Sequence, residues 1–182
     1  CMRIISLLKN NNNFTVISTT KHKDLAGKNI IEGIDIFRFY IGSRVDQFLQ
    51  VIKILFVFFT KNFNIVHLHG FSSRSALIVI ISKLFNKKII IKMTSFGHDD
   101  AVSIKNNSRL FFYLFSLADA YIGVSPIFSH TYIKVGIDTG KYYQIPNGVD
   151  INLFKAPKDS GEKNRIRFAL NLPIDMKLIL VV

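Results

Sequence analysis

Three short stretches collect the residue types that do chemistry on polar substrates. Thr94-Ser95-Phe96-Gly97-His98-Asp99-Asp100 puts two hydroxyls, an imidazole and two carboxylates into one run. Such groups orient sugar hydroxyls or carry protons as general acids and bases. The same run reads as well as a loop that caps the next helix. His98 and Asp99 are neighbours along the chain and therefore not a dyad on that ground. In His67-Leu68-His69-Gly70, strand geometry puts His67 and His69 on one face, with His69 at the strand end. His69 and Gly70 read either as a substrate contact or as a hydrogen-bonded imidazole before a glycine turn. No third Cys, Asp or Glu lies nearby in sequence, so no metal site is assigned. In Val124-Ser125-Pro126, Ser is a favoured helix N-cap and Pro a favoured first helical residue. A helix start of this kind also suits an anion such as phosphate. Pro146-Asn147-Gly148-Val149-Asp150 is a turn whose Asn147-Gly148 suits a hairpin. The sequence contains no GxxxxGK[ST], GxGxxG, GxSxG or HExxH, and no catalytic residue is assigned.

The elements that must position these residues follow from periodicity. Residues 2–9 read as the end of a helix, 14–19 as a strand, 21–33 as a polar loop, and 34–39 as a second strand. Over residues 45–60, Val45, Phe48, Leu49, Ile52, Leu55, Phe56 and Phe59 recur at helical spacing. Val51, Ile54, Val57 and Phe58 widen that face, which predicts a largely buried helix. Strands are then expected at 64–68, 88–93, 120–124 and 142–145, with helices at 72–85, 110–118 and 126–135. Alternation of this kind predicts an α/β fold, a Rossmann-like parallel sheet with helices on both faces. In such sheets ligands sit outside the carboxyl ends of the strands, where the singled-out stretches fall. Residues 155–164 are charged, contain Pro and Gly, and read as a linker or exposed loop. A short helix at 165–170 and a strand at 177–182 would open a second domain. The expected division is therefore 1–150, an N-terminal domain, and 151–182, a linker with the start of another.

Composition narrows the function classes. The chain has 182 residues, with 24 Lys+Arg against 12 Asp+Glu, a formal charge of +12. Its 49% hydrophobic content and 17 Phe exclude a disordered chain. A lone cysteine, Cys1, excludes a disulfide scaffold and favours a reducing, cytoplasmic setting. Residues 110–130 are long enough to span a bilayer, but Asp119, Gly123, Ser125 and Pro126 fit a helix, strand and cap instead. The basic residues are scattered rather than clustered, which argues against a nucleic-acid arm. A basic face on an apolar protein suits anionic lipid headgroups, and the same usage equally suits an AT-rich gene. The opening Cys1-Met2-Arg3 and the closing run KLILVV lead us to expect a fragment cut at both ends.

The order of the motifs resembles a known family. NIVHLHG, KKIIIKMTSFGHDD, LADAYIGVS and YYQIPNGVDINLF, in that sequence, resemble the family 4 glycosyltransferases of the GT-B fold. The most specific parts are Asp119 to Ser125 and Ile145 to Asp150 with Phe154 following. The resemblance implies two Rossmann-like domains flanking a cleft, the first binding a glycan or lipid-linked acceptor, the second a nucleotide-sugar donor. It implies retaining transfer, no required metal and no cofactor beyond the donor substrate. Polysaccharide or glycolipid synthesis at the inner face of a membrane is the expected setting. His69, Gly70, Thr94, Ser95, His98 and Asp99 would then line the acceptor side. Ser125, Asn147 and Gly148 would face the donor, and Asp119 would be structural at a helix-to-strand corner. The family's first strand with its Gly-rich loop would precede Cys1, and its E-x7-E pair would follow Val182. The fragment alone is therefore expected to be inactive. Many members carry a His where this chain has Thr94. Two rival readings stand beside transfer: a nucleotide-sugar epimerase on the same fold, and a non-catalytic basic module that binds membrane or polysaccharide.

Overall fold

A computed structural model describes residues 12–151 and 154–179, together with Ile5 and Leu8. The chain divides into two compact units, Cys1–Pro146 and Asn147–Val182.

Among the described residues, the first unit contains two sheets. In one, β1 (Thr15–Thr20) lies parallel to β3 (Ile34–Tyr40), and β2 (Gly27–Ile31) lies antiparallel on the other side of β3. β2 falls inside the stretch expected to be a loop. Its apolar pair, Ile30 and Ile31, is short and exposed, so it gives no alternating signal. The turn explains it instead. Glu32 and Gly33 take φ of 52° and 80°, the two left-handed residues that let a two-residue hairpin follow strand twist.

The other sheet is all parallel. β4 (Ile65–His69), β5 (Lys88–Met93), β6 (Ala120–Gly123) and β7 (Tyr142–Gln144) pair in chain order. The helices are α1 (Arg44–Thr60), α2 (Ser73–Leu84), α3 (Ala101–Asn107), α4 (Arg109–Ser116) and α5 (Ile127–Val135). The stretch considered as a membrane span is thus α4, β6 and α5. Among the described residues no helix is long and apolar enough to cross a membrane.

Strand alternation sets the core. Ile89, Ile91 and Met93 of β5 and Tyr121 of β6 are fully buried beneath Val79, Ala101, Phe115, Phe128 and Tyr132 from the helices. Phe115, Tyr121, Tyr132 and Tyr142 form a chain of rings with centroids 4.9–5.0 Å apart. The polar tips stay satisfied inside it. The Tyr121 hydroxyl donates to the Phe115 carbonyl at 2.8 Å, and the Tyr132 hydroxyl to Met93 Sδ at 2.9 Å. On β3, Ile34 and Ile36 face Ile5 while Phe37 and Phe39 face α1, so this sheet carries helical residues on both sides.

The corner between α4 and β6 is held by Asp119. Its carboxylate accepts from Ile89 N at 2.9 Å, Lys83 Nζ at 3.0 Å and Lys88 Nζ at 3.1 Å. Burial pushes this carboxyl up, but the Ile89 N–H and the two lysines outweigh that and leave it below its ordinary value.

The burial expected of α1 is met by Ile54, Val57 and Phe58 but not by the rest of the expected face. Its core side is Gln50, Ile54, Val57 and Phe58. Val45, Phe48, Leu49, Ile52, Phe56 and Phe59, read as the core face, are exposed. The helix is apolar on two opposite faces, and periodicity alone does not say which one meets the sheet. Ser43 starts it with a reciprocal cap, accepting from Asp46 N while Asp46 accepts from Ser43 N.

In the second unit, α6 (Ser160–Ala169) begins inside the expected linker because Asp159 caps it through Glu162 N at 2.8 Å. Arg167 Nη1 then donates to the carbonyls of Pro173 and Met176, folding the following loop back on the helix. The strand expected at 177–182 is not formed over Lys177–Ile179, and its remainder lies outside the described residues.

Candidate functional site

The carboxyl ends of β4, β5 and β6 bring most of the singled-out residues onto one edge of the sheet. β4 ends at His69, and Gly70 N donates across to the Lys92 carbonyl at 2.8 Å. Gly70 has φ of 77°, and a Cβ there would stand 3.1 Å from Asp99 Oδ2 and 3.8 Å from Thr94 Oγ1. A side chain at this position would be strained in backbone and crowded at once. The end of one strand is therefore seated directly against the loop that follows its neighbour.

Asp99 organises that loop. It is buried, and its carboxylate accepts from Ser95 N at 2.7 Å, Thr94 N at 3.2 Å and Thr94 Oγ1 at 3.0 Å. Asp100, also buried, accepts from Gly97 N at 2.7 Å and Ser103 Oγ at 2.7 Å, and from Val102 N and Ser103 N. Burial raises the Asp100 carboxyl, but the hydrogen bonds from Ser103, Gly97 and Val102 together hold it below its usual value. The reading of this run as a helix cap is realised through Asp100 on α3. The loop reading and the site reading are compatible. The carboxylates are spent on the loop from below, and Thr94, Ser95 and His98 are displayed above it. Phe96 leans edge-on against buried Phe128 with ring centroids 6.2 Å apart, tying the loop to α5.

His67 and His69 stack on each other at 4.7 Å with 27° between planes. Both imidazoles are held below their ordinary basicity. Loss of water around the ring is the first cause for each, with Lys92 adding to it, and His69 adds to the effect on His67. His67 is pushed down to about 4 although its side chain still reaches solvent, so the pair is neutral at pH 7. Among the described residues there is no group of three or more His, Cys, Asp or Glu able to hold a metal ion.

At the end of β6, α5 starts one residue later than the Ser-Pro rule suggests. Pro126 occupies the cap position and no side-chain cap bond forms. Ser125 is half-buried, and its carbonyl accepts from Phe128 N and from the Tyr142 hydroxyl. Gly123 just before it is fixed sterically, since a Cβ would fall 2.3 Å from Tyr142 Oη and 2.9 Å from Phe128 Cβ. Asn147 and Gly148 belong to the second unit. No hairpin forms around them among the described residues, and Gly148 does not take a positive φ. Sequence reasoning placed Asp99 on the acceptor side but missed its burial. The signal available was its place just before a helix-capping Asp, where a loop must turn inward.

Comparison with known proteins places this geometry. A family model described as Glycosyltransferase Family 4 matches residues 4–153. No curated protein matches the chain in sequence. Among solved structures, a protein from Listeria monocytogenes assigned as a UDP-N-acetylglucosamine 2-epimerase is 15% identical with a TM-score of 0.53, over 77% of this chain and 39% of that one. HepE from Anabaena in complex with UDP is 18% identical with a TM-score of 0.48, over 76% of this chain and 36% of that one. Its complex with UDP and glucose is 17% identical with the same TM-score and coverage. The chain thus spans less than two fifths of the length of these structures.

Proposed function

The chain belongs to glycosyltransferase family 4, and from that membership we propose that the whole protein is a retaining transferase of the hexosyl type. It would move a sugar from a nucleotide-sugar donor to a glycan or lipid-linked acceptor, in surface polysaccharide or glycolipid synthesis at the inner face of a membrane. The observation that carries the reading is the family match over residues 4–153, which includes every strand end described above. The geometry supports an acceptor role for this half. Exposed His69, Ser95 and His98 offer imidazole and hydroxyl groups suited to sugar hydroxyls, and Asp99 fixes the loop that presents Ser95 and His98. Ser125, Asn147 and Gly148 are the donor-facing candidates by their positions in the motifs.

The test is transfer by the intact protein. A panel of nucleotide sugars is offered with polyprenyl-phosphate-linked and free glycan acceptors, and released nucleotide and product anomer are followed by NMR. Acceptor-dependent nucleotide release with the donor's anomeric configuration kept is the expected result. A new nucleotide sugar formed from the donor with no acceptor present would replace transfer by epimerisation. In the transferase, His98→Ala is expected to lower turnover more than about tenfold, or about 1.4 kcal/mol of barrier. Unchanged turnover removes His98 from the acceptor side.

A further inference from the structure

Helix α1 has a second apolar face that is largely exposed among the described residues, with only Phe59 resting edge-on against Phe85 at 4.8 Å. At about 100° per residue, Phe48, Phe59, Ile52, Val45, Phe56 and Leu49 fall within an arc of roughly 100°. Gln50, Ile54, Val57 and Phe58, the buried set, fall on the opposite arc. Phe48 is 67% exposed, Phe56 65% and Phe59 75%, so three phenyl rings stand out along one side of a 17-residue helix. The helix is too short to span a bilayer yet presents a continuous apolar stripe, the form of an interfacial helix.

Cations border the stripe. Arg44 and Lys53 flank its two sides on the helix itself, and Asp46, the acid on this helix, is engaged by Ser43 at its start. Beside Phe56, a cleft of about 420 Å³ between α1 and the β2–β3 hairpin is lined by Lys28, Arg38 and Lys53. Beside Phe48, a cleft of about 300 Å³ toward α2 is lined by Arg74. Lys28 is partly spent on Asp35, and Lys53 and Arg74 complete the basic rim.

We propose that α1 docks on the surface of an anionic bilayer, its phenyl rings in the headgroup–acyl boundary and lipid phosphates against the flanking clefts. A second copy of the chain is the disfavoured occupant, because it would bring two bodies of charge +12 together. The docking surface deepens the membrane setting proposed above and needs no nucleotide sugar, so a failure here leaves the transfer reading untouched.

The experiment is co-sedimentation of the full 182-residue chain with phosphatidylcholine vesicles that contain or lack phosphatidylglycerol. Binding to the anionic vesicles, weakened by salt, is expected. Phe48→Ser with Phe56→Ser should lower partitioning roughly tenfold or more at unchanged circular dichroism. Lys53→Glu should lower it about fivefold. Equal partitioning of the double serine variant and the parent overturns the proposal. So does equal binding to neutral and anionic vesicles, or a dimer in sedimentation equilibrium that the serines disperse while vesicle binding persists. Should the serine variant fail to fold, unchanged partitioning of Lys53→Glu overturns it alone.

Discussion

Replacing Asp99 by alanine tests whether the β5–α3 loop is held from beneath. The carboxylate takes three donors, Ser95 N, Thr94 N and Thr94 Oγ1, at 2.7–3.2 Å, and it is buried. A hydrogen bond to a charged group contributes about 1.5–3 kcal/mol net. Thr94 and Ser95 are exposed, so water replaces part of what is lost and about 1 kcal/mol per donor is the better figure. The expected cost of Asp99→Ala is therefore roughly 3 kcal/mol, read from urea unfolding of the chain. Thr94→Val removes one donor, and a double-mutant cycle with Asp99→Ala should show coupling of about 1 kcal/mol. On the proposed transferase reading, the same change in the intact protein should lower transfer through a raised acceptor KM as the loop loses its shape. A stability change within about 0.5 kcal/mol, the range of an ordinary surface substitution, would refute the reasoning.

Three further outcomes are expected. Gly123→Ala should cost about 2–3 kcal/mol in the same unfolding assay, because its Cβ would overlap the Tyr142 hydroxyl and crowd Phe128. Asp119→Asn should cost about 1 kcal/mol at pH 7. The folded Asp119 carboxyl titrates below its ordinary value of 3.8, so its contribution is complete above that pH and fades as pH falls through the lower folded value. Stability of parent and variant should therefore converge on acidification. His67 should titrate near pH 4 by NMR, against an ordinary value of 6.5. The unfolded chain takes up this proton first, so His67 supports the fold above about pH 6.5 and ceases to as pH falls to 4. An ordinary midpoint would show that loss of water and the neighbouring His69 and Lys92 do not hold this ring neutral.

The parallel sheet was legible because its strands carry buried apolar side chains at every second position, as Ile89, Ile91 and Met93 do. β2 was not legible, since Gly-Lys-Asn-Ile-Ile buries nothing and is recruited by a turn at Glu32-Gly33. α3 was hidden because its signal is the cap at Asp100 rather than a long apolar stripe. The face of α1 was misread because six apolar side chains point away from the core, a distribution that globular packing does not favour. At the site, spacing located the strand ends but not depth. Asp99 and His98 are adjacent in sequence, yet one is buried under the loop and the other stands on it. Asn147-Gly148 has hairpin composition without a hairpin, because no following strand is described for it to turn into.

Chain order equals strand order in the four-stranded sheet, and this shapes how it comes into being. Ile65 pairs with Lys88, Ile90 with Ala120 and Tyr121 with Tyr142, separations of 23, 30 and 21 residues. A ribosome makes such intervals in roughly 1–6 s at about 5–20 residues per second. Mixed α/β domains fold faster than that. Each strand is therefore made after the partner it pairs with, which allows the sheet to lengthen one helix-and-strand unit at a time during synthesis. β1 differs, because the segment it pairs with, Asp35 to Tyr40, arrives only after β2 has been made. The nascent chain thus makes both edges of its first sheet before the centre, and its second from one side to the other.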